Sequence, residues 1–373
     1  MPRQRCEGKW TMNRNWRKMP VLLLIMAVCV GCTEPGEKEA KSTEIVIVSQ
    51  ETGETATKEA CLNLFFDGSQ YRLERYAPGN RYVRTYDLEG RLLLSQRFLG
   101  EKLQSQTAYT YDAEGKLVKT EGFGYNEVYT TYLTEFFYDA AGNLTRKCEY
   151  TNEELQFAYI YDAQGRLVEG YGYFAGVSHT VYIYGVDGKL LRSETQRDGE
   201  ISGGWQYTYD QNGRLVREDQ FRISNGKRIE LTNSYVHDEQ GRCVRYNLGG
   251  FQGEQSYEEY TYDTAGNMLS STYHHYTGDV STYRWAYDDQ GRMLSMQNGD
   301  TWYVGCRWNY DQQGNVTAMA NQGEEIFFHY TWPEDLPAWM EKEIAVQITG
   351  LTKLEIYTPQ VYTRLWNFDK RTS

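Results

Sequence analysis

From residue 82 onward, apolar and polar positions alternate along the chain in short runs. Aromatic residues stand two apart before a polar break: Tyr109 and Tyr111, Tyr159 and Tyr161, Tyr182 and Tyr184, Tyr207 and Tyr209, Tyr260 and Tyr262, Trp285 and Tyr287, Trp308 and Tyr310. A spacing of two puts both rings on one face of a β-strand. The break has the form Asp-x-x-Gly, then Arg, Lys or Asn, and an apolar pair such as Leu92-Leu93 or Met293-Leu294 opens the next run. An Asp side chain accepts hydrogen bonds from backbone amides just ahead of it, and glycine takes the left-handed conformation that closes a hairpin with a bulge. Each unit is therefore predicted to be a β-hairpin.

The unit recurs ten times, with glycines at Gly90, Gly115, Gly142, Gly165, Gly188, Gly213, Gly241, Gly266, Gly291 and Gly314. Spacings of 23 to 28 residues mark a repeat architecture. Two copies depart from the pattern: Gly185 replaces the Asp of the fifth, and His237 the Tyr of the seventh. Composition agrees with an all-β reading, since 373 residues hold 33 Tyr and 35 Gly but only 7 Pro. Fifteen of those tyrosines occupy the two aromatic positions of the repeat.

The series YDLEGRL, YDAEGKL, YDAAGNL, YDAQGRL through YDQQGNV resembles the YD-repeat family, related to Rhs repeats, over roughly residues 82 to 330. The resemblance implies one long twisted antiparallel sheet of paired hairpins, a solenoid or partial shell; in larger members such a sheet spirals into a shell around a toxic domain, or serves in cell-surface adhesion. No self-cleaving core segment and no appended enzymatic domain accompany the repeats here. Ten copies are few for a shell; whether the sheet closes is left open, and caps are expected at both ends. Residues 59–81 (FFDGSQYRL and flanks) are assigned as a degenerate first unit capping one edge, and residues 331–373 as the C-terminal cap.

The N-terminal segment differs in kind. Residues 1–31 place six Lys or Arg against one Glu ahead of the apolar run VLLLIMAVCV, an export signal too short to span a membrane. The true start falls at Met1 or Met12. The end of the run, Cys29-Val30-Gly31-Cys32, resembles a bacterial lipobox, which implies lipidation of Cys32 and anchoring to the cell membrane, facing the periplasm or the exterior. Residues 32–58 are polar and are assigned as a flexible linker, interrupted by the β-like patch Ile45-Val46-Ile47-Val48.

The whole chain carries a formal charge of −12, and removing residues 1–31 leaves −17. A nucleic-acid partner needs a basic footprint and is excluded. HExxH, GxSxG, P-loop and strand-following GxGxxG motifs are absent from the sequence. The five histidines, His179, His237, His274, His275 and His329, are scattered: His237 replaces a motif Tyr, His274 and His275 point to opposite faces of a strand, and His329 sits in the cap. Cys61, Cys148, Cys243 and Cys306 lack metal-ligand spacing, and no disulfide pairing is selected. The Asp-x-x-Gly turns are too short to supply calcium's oxygens alone; the Asp288-Asp289 pair comes nearest. No metal, cofactor or catalytic site is assigned, and enzymatic chemistry has only the segment after Thr331 left to it. What remains is aromatic surface outside the repeat positions. Tyr125, Tyr129, Tyr171, Tyr173, Tyr273 and Tyr276 are the candidate ligand contacts of a non-catalytic binding or adhesion module for glycan or protein. The alternative is a structural or protective shell, an immunity-like partner of a toxin or other secreted protein.

Overall fold

The computed structural model describes residues 43–352 except 53–58, 78, 175, 250–254, 300–304 and 322–323. The export signal, Cys32 and residues 353–373 lie outside the described residues.

The strands follow one another as β1 (Thr43–Thr52), β2 (Glu59–Phe66), β3 (Tyr71–Ala77), β4 (Asn80–Tyr86), β5 (Leu92–Leu99), β6 (Lys102–Tyr111), β7 (Leu117–Asn126) and β8 (Val128–Tyr138). Next come β9 (Leu144–Thr151), β10 (Glu154–Tyr161), β11 (Leu167–Gly172), β12 (Ser178–Tyr184), β13 (Leu190–Arg197), β14 (Glu200–Tyr209), β15 (Leu215–Ser224) and β16 (Lys227–His237). The last third holds β17 (Cys243–Gly249), β18 (Gln255–Tyr262), β19 (Met268–His274), β20 (Val280–Tyr287), β21 (Met293–Asn298), β22 (Cys306–Tyr310), β23 (Val316–Asn321), β24 (Glu324–Tyr330) and one helix, α1 (Ala338–Leu351). Each strand pairs antiparallel with its sequence neighbours in a single up-and-down sheet of the repeat-shell type.

The hairpin chemistry explains the repeat. Asp87 Oδ1 accepts the amides of Glu89 and Arg91 at 3.1 and 2.8 Å, and Asp210 Oδ1 those of Asn212 and Arg214 at 2.9 and 2.8 Å. Gly213 has φ 78°, the left-handed value that a Cβ opposes. A register shift follows at the motif Tyr of each turn, as between Thr208 and Tyr209. In the fifth unit, where Gly185 replaces Asp, Asp187 Oδ1 takes the Lys189 amide at 3.2 Å instead.

The sheet closes. Val48 to Thr52 of β1 pair with Tyr330 to Ile326 of β24, so the described strands form a closed 24-stranded barrel. Three expectations are corrected here. The 32–58 linker contributes a ten-residue strand from Thr43 to Thr52, because Val48 is fully buried against Tyr330. Residues 59–81 are not an edge cap but β2, β3 and the start of β4, paired on both sides. Closure itself removes the edges that caps were invoked to cover. His329 lies in β24 opposite Ser49 rather than in a cap.

The two faces of the sheet are unequal. The face bearing the motif rings buries Leu190, Tyr207, Leu215, Tyr235, Tyr246, Tyr260 and Met268, and every member and neighbour of this cluster comes from β12 to β20. Among the described residues no second layer supplies that burial, so the motif face is the concave one. Its acids are satisfied from within: Tyr235 Oη donates to Glu218 at 2.9 Å, and Tyr260 Oη to Glu258 at 3.0 Å. Burial, then the Glu218 charge, raises the Tyr235 pKa and keeps the phenol a donor.

The largest core lies at the closure. Val48, Leu62, Leu64, Leu73, Tyr86, Met293, Met296, Trp308, Met319 and Phe328 enclose Met340, Ile344 and Ile348 of α1. Those three recur at intervals of four, one stripe of a helix. Trp308 Nε1 donates to the Thr352 carbonyl at 3.0 Å, and Arg84 pairs with Glu343 at 2.6 Å, which ties the helix to the strands on both sides of the seam.

Candidate functional site

Up-and-down connectivity places all ten motif turns at one end of the barrel and the variable connections at the other. At the motif end, an Arg after the turn glycine links its own turn to the next. Arg292 Nε donates to Asp288 Oδ2 at 2.6 Å, Nη1 to the Asp311 carbonyl at 3.1 Å, and the guanidinium lies 4.8 Å from the Tyr310 ring centroid. Arg242 repeats this at 2.7, 3.0 and 4.9 Å with Asp238, the Asp263 carbonyl and Tyr262. Six motif tyrosines (Tyr111, Tyr138, Tyr184, Tyr209, Tyr262 and Tyr310) in turn donate their hydroxyls back to the start of the previous return strand, as Tyr111 to Leu92 at 2.9 Å, Tyr209 to Leu190 at 2.9 Å and Tyr310 to Met293 at 2.7 Å. The ladder uses up its charges. The Arg214 amide, against partial desolvation, and then the Arg214 guanidinium hold Asp210 below the usual carboxylate range. Asp288, the nearer of the calcium candidates, accepts Arg292 on one oxygen and two turn amides on the other.

The convex face carries a different chemistry. Tyr171 of β11 stacks on His179 of β12 with centroids 4.5 Å apart and planes 7° apart. His179 Nε2 lies 3.1 Å from Glu169 Oε2, and Tyr171 Oη donates to the same carboxylate. Desolvation, then that bond to Glu169, pushes the Tyr171 phenol up to about 12. A second platform repeats the design on β17 to β19. Tyr257 stacks on His274 at 4.3 Å, Arg245 stands 3.9 Å from the Tyr257 centroid, and Glu259 reaches Arg245 at 3.3 Å and His274 at 3.5 Å.

The six candidate tyrosines do not form one site. Tyr125 and Tyr129 face each other across β7 and β8 on the convex face, with Lys102 4.6 Å over Tyr125 and Phe123 stacked on Tyr129 at 5.3 Å. Tyr171 belongs to the first platform, and Tyr173 follows it at the connection end. Tyr273 is opposite Glu258, on the concave face, while Tyr276 is at a turn beside His275. Three separate stretches of sheet therefore hold them. The sequence reading missed His179 and His274 as ring partners, and Glu169, Glu259, Arg245 and Tyr257 with them. Their signal is cross-strand register, set by connection length and not by local spacing.

Among the described residues no group of three His, Cys, Asp or Glu is placed to hold a metal ion. Cys61, Cys148, Cys243 and Cys306 are buried free thiols, and desolvation pushes Cys61 up to about 12 and Cys243 to about 11.

Residues 134–178, which hold the Asp139 and Asp162 turns, match the family model described as RHS Repeat. That stretch of the chain carries the RHS repeat. The sheet is similar to three solved structures. The Tc holotoxin pore of Photorhabdus luminescens shows 13% identity and a TM-score of 0.39 over 74% of this chain and 18% of that one. The TcdB2–TccC3 complex shows 11% and 0.23 over 76% and 21%. A porin-like protein from Bacteroides uniformis shows 8% and 0.28 over 77% and 97%. The chain spans about a fifth of the length of the two toxin chains it matches. No curated protein matches the sequence. Among the described residues no helix is long and apolar enough to cross a membrane.

Proposed function

We propose that the protein is a non-catalytic binding module of the bacterial cell envelope, exported and tethered through a lipid on Cys32, whose RHS barrel presents its convex face to a glycan or protein. One observation carries this reading: the convex face holds aromatic rings that the repeat does not use, each fixed against a histidine with a carboxylate at its edge. The apolar face of a sugar ring stacks on such a surface while its hydroxyls bond to the carboxylate and imidazole, and aromatic rings supply contact area at little entropic cost. Titration with envelope polysaccharide fragments tests it. Tyr171→Ala and Tyr257→Ala should each weaken binding at least tenfold without changing the unfolding midpoint. Full affinity in the double variant would overturn the glycan reading. Tethering has a separate test: Cys32→Ser should move the protein from the membrane to the soluble fraction, and unchanged retention would contradict the anchor.

Closure of the sheet supports a second reading, a shell around a partner. That reading expects one protein to co-purify in fixed stoichiometry and to be lost when β1 is deleted.

A further inference from the structure

The residue after the turn glycine is Arg in five units, Lys in two and Asn in three, at Asn143, Asn267 and Asn315. Arg and Lys side chains bridge to the next unit. Lys116 stands 5.5 Å from the Tyr138 centroid and Lys189 5.6 Å from that of Tyr209, where the arginines take the same place. Asn keeps only the near half of this arrangement. Asn267 Nδ2 donates to Asp263 Oδ2 at 2.9 Å, and Asn315 Nδ2 to Asp311 Oδ2 at 2.9 Å, but a two-carbon side chain ends there.

The structure shows what that shortening leaves. A hollow of about 540 Å³ lies between the Asp263 and Asp288 turns, lined by Asp263, Asn267, Leu269, Tyr287, Asp288 and Asp289. A second, of about 480 Å³, lies beside Asn315 and Tyr330, but the chain's own Trp332, Pro333 and Leu336 border it. Among the described residues no such segment borders the first. Among the described residues no cation stands over Tyr287, the ring that Arg or Lys of a preceding unit covers elsewhere.

We propose that the hollow at Asn267 is a slot for the guanidinium of a peptidyl arginine, which stacks on Tyr287 and donates to the Asp288 carbonyl oxygen, with Asp289 at its mouth. The template is internal. In the two flanking units, Arg242 and Arg292 place a guanidinium 4.9 and 4.8 Å from the corresponding rings and 3.0 and 3.1 Å from the corresponding carbonyls. A planar, always-charged fork fits such a ring and carbonyl; a longer neutral side chain gains no charge pairing with Asp289. The peptide form is favoured over free arginine because a free α-carboxylate would approach Asp288 and Asp289. The slot is at the motif end and uses none of the platform residues, so its failure leaves the glycan reading untouched.

Calorimetric titration of the full chain with N-acetyl-arginine amide tests the slot. Saturable binding is expected, at least tenfold weaker for the citrulline analogue and weaker for free arginine. Asn267→Arg should fill the slot from within, as sister units do, and weaken binding at least tenfold with the unfolding midpoint held or raised. Tyr287→Leu should weaken it similarly. Asn212→Arg adds the same charge at an exposed turn that already holds Arg214, and should change affinity less than twofold. Absence of saturable binding, equal affinity for citrulline or free arginine, or undiminished binding by Asn267→Arg would each overturn the proposal.

Discussion

The seam and the arc from β5 to β12 are built from the same hairpin yet are held together differently. Around the seam, β1 to β4 and β20 to β24 wrap α1 and enclose a continuous core in which Leu62, Trp308, Met319, Met340 and Ile344 are almost wholly shielded. Along β5 to β12 the rings are half-buried, and Cys148, Ala158 and Leu167 are the only fully buried apolar residues among those described. The arc holds through its turns, its ladder and its backbone pairing; the seam adds a hydrophobic core. A repeat whose stabilising contacts run only to its neighbours propagates without a core but does not by itself decide where to stop. Here the stop comes from two elements outside the repeat, β1 and α1.

The largest expected contrast is between rings. Trp308→Ala removes a buried indole and its bond to Thr352, and should destabilise by about 4 kcal/mol, while Tyr109→Ala in the arc should cost roughly half that or less, both read by denaturant unfolding. Equal losses would erase the distinction between core and arc. Next, Gly115→Ala in the arc and Gly314→Ala near the seam force a side chain into φ of 81° and 89°, and each should cost about 1–2 kcal/mol. Similar values would show that the turn works alike in both regions; a large cost at only one would show coupling to the core. Tyr111→Phe, which loses the hydroxyl bond to Leu92, should cost about 1 kcal/mol and leave the fold intact by circular dichroism.

The smallest effect is that of acid. Asp139, Asp210 and Asp263 have folded pKa values below that of an unfolded Asp, about 3.9, because turn amides and the following side chain bind the ionised form. Their contribution is complete above that value and is lost as pH falls through the lower folded values. Unfolding midpoints should therefore be flat above pH 5 and decline below about pH 4, and Asp210→Asn should shallow that decline. A decline centred near neutrality would point to histidines instead.

The turn was legible in the sequence because its physics is local. Asp210, Gly213 and Arg214 lie within five residues, and each does what its side chain dictates alone. Burial of the motif rings was legible for the same reason, through period-two spacing. Closure was not. The partners of Val48 and Thr52 are Tyr330 and Ile326, nearly the whole chain away, and no local pattern encodes that register. The helix was ambiguous, since Ile344, Val346 and Ile348 alternate like a strand. Packing decides, with Met340, Ile344 and Ile348 buried and Val346 exposed. The candidate site was half legible: Tyr171 was singled out, but His179 and Glu169 join it only through pairing across two strands.

The claim on which the rest depends is that β1 seals the sheet against β24. Site-resolved hydrogen exchange at Ile326 to Tyr330 tests it directly. In an antiparallel strand alternate amides point to opposite neighbours; in β24 one half faces β23, which pairs with Glu324 to Phe327, and the other half faces β1, which pairs with Ile326 to Tyr330. A sealed barrel predicts protection of both halves, to within about tenfold of each other. Rapid exchange confined to the alternate amides that face β1 would show an open sheet and contradict the account.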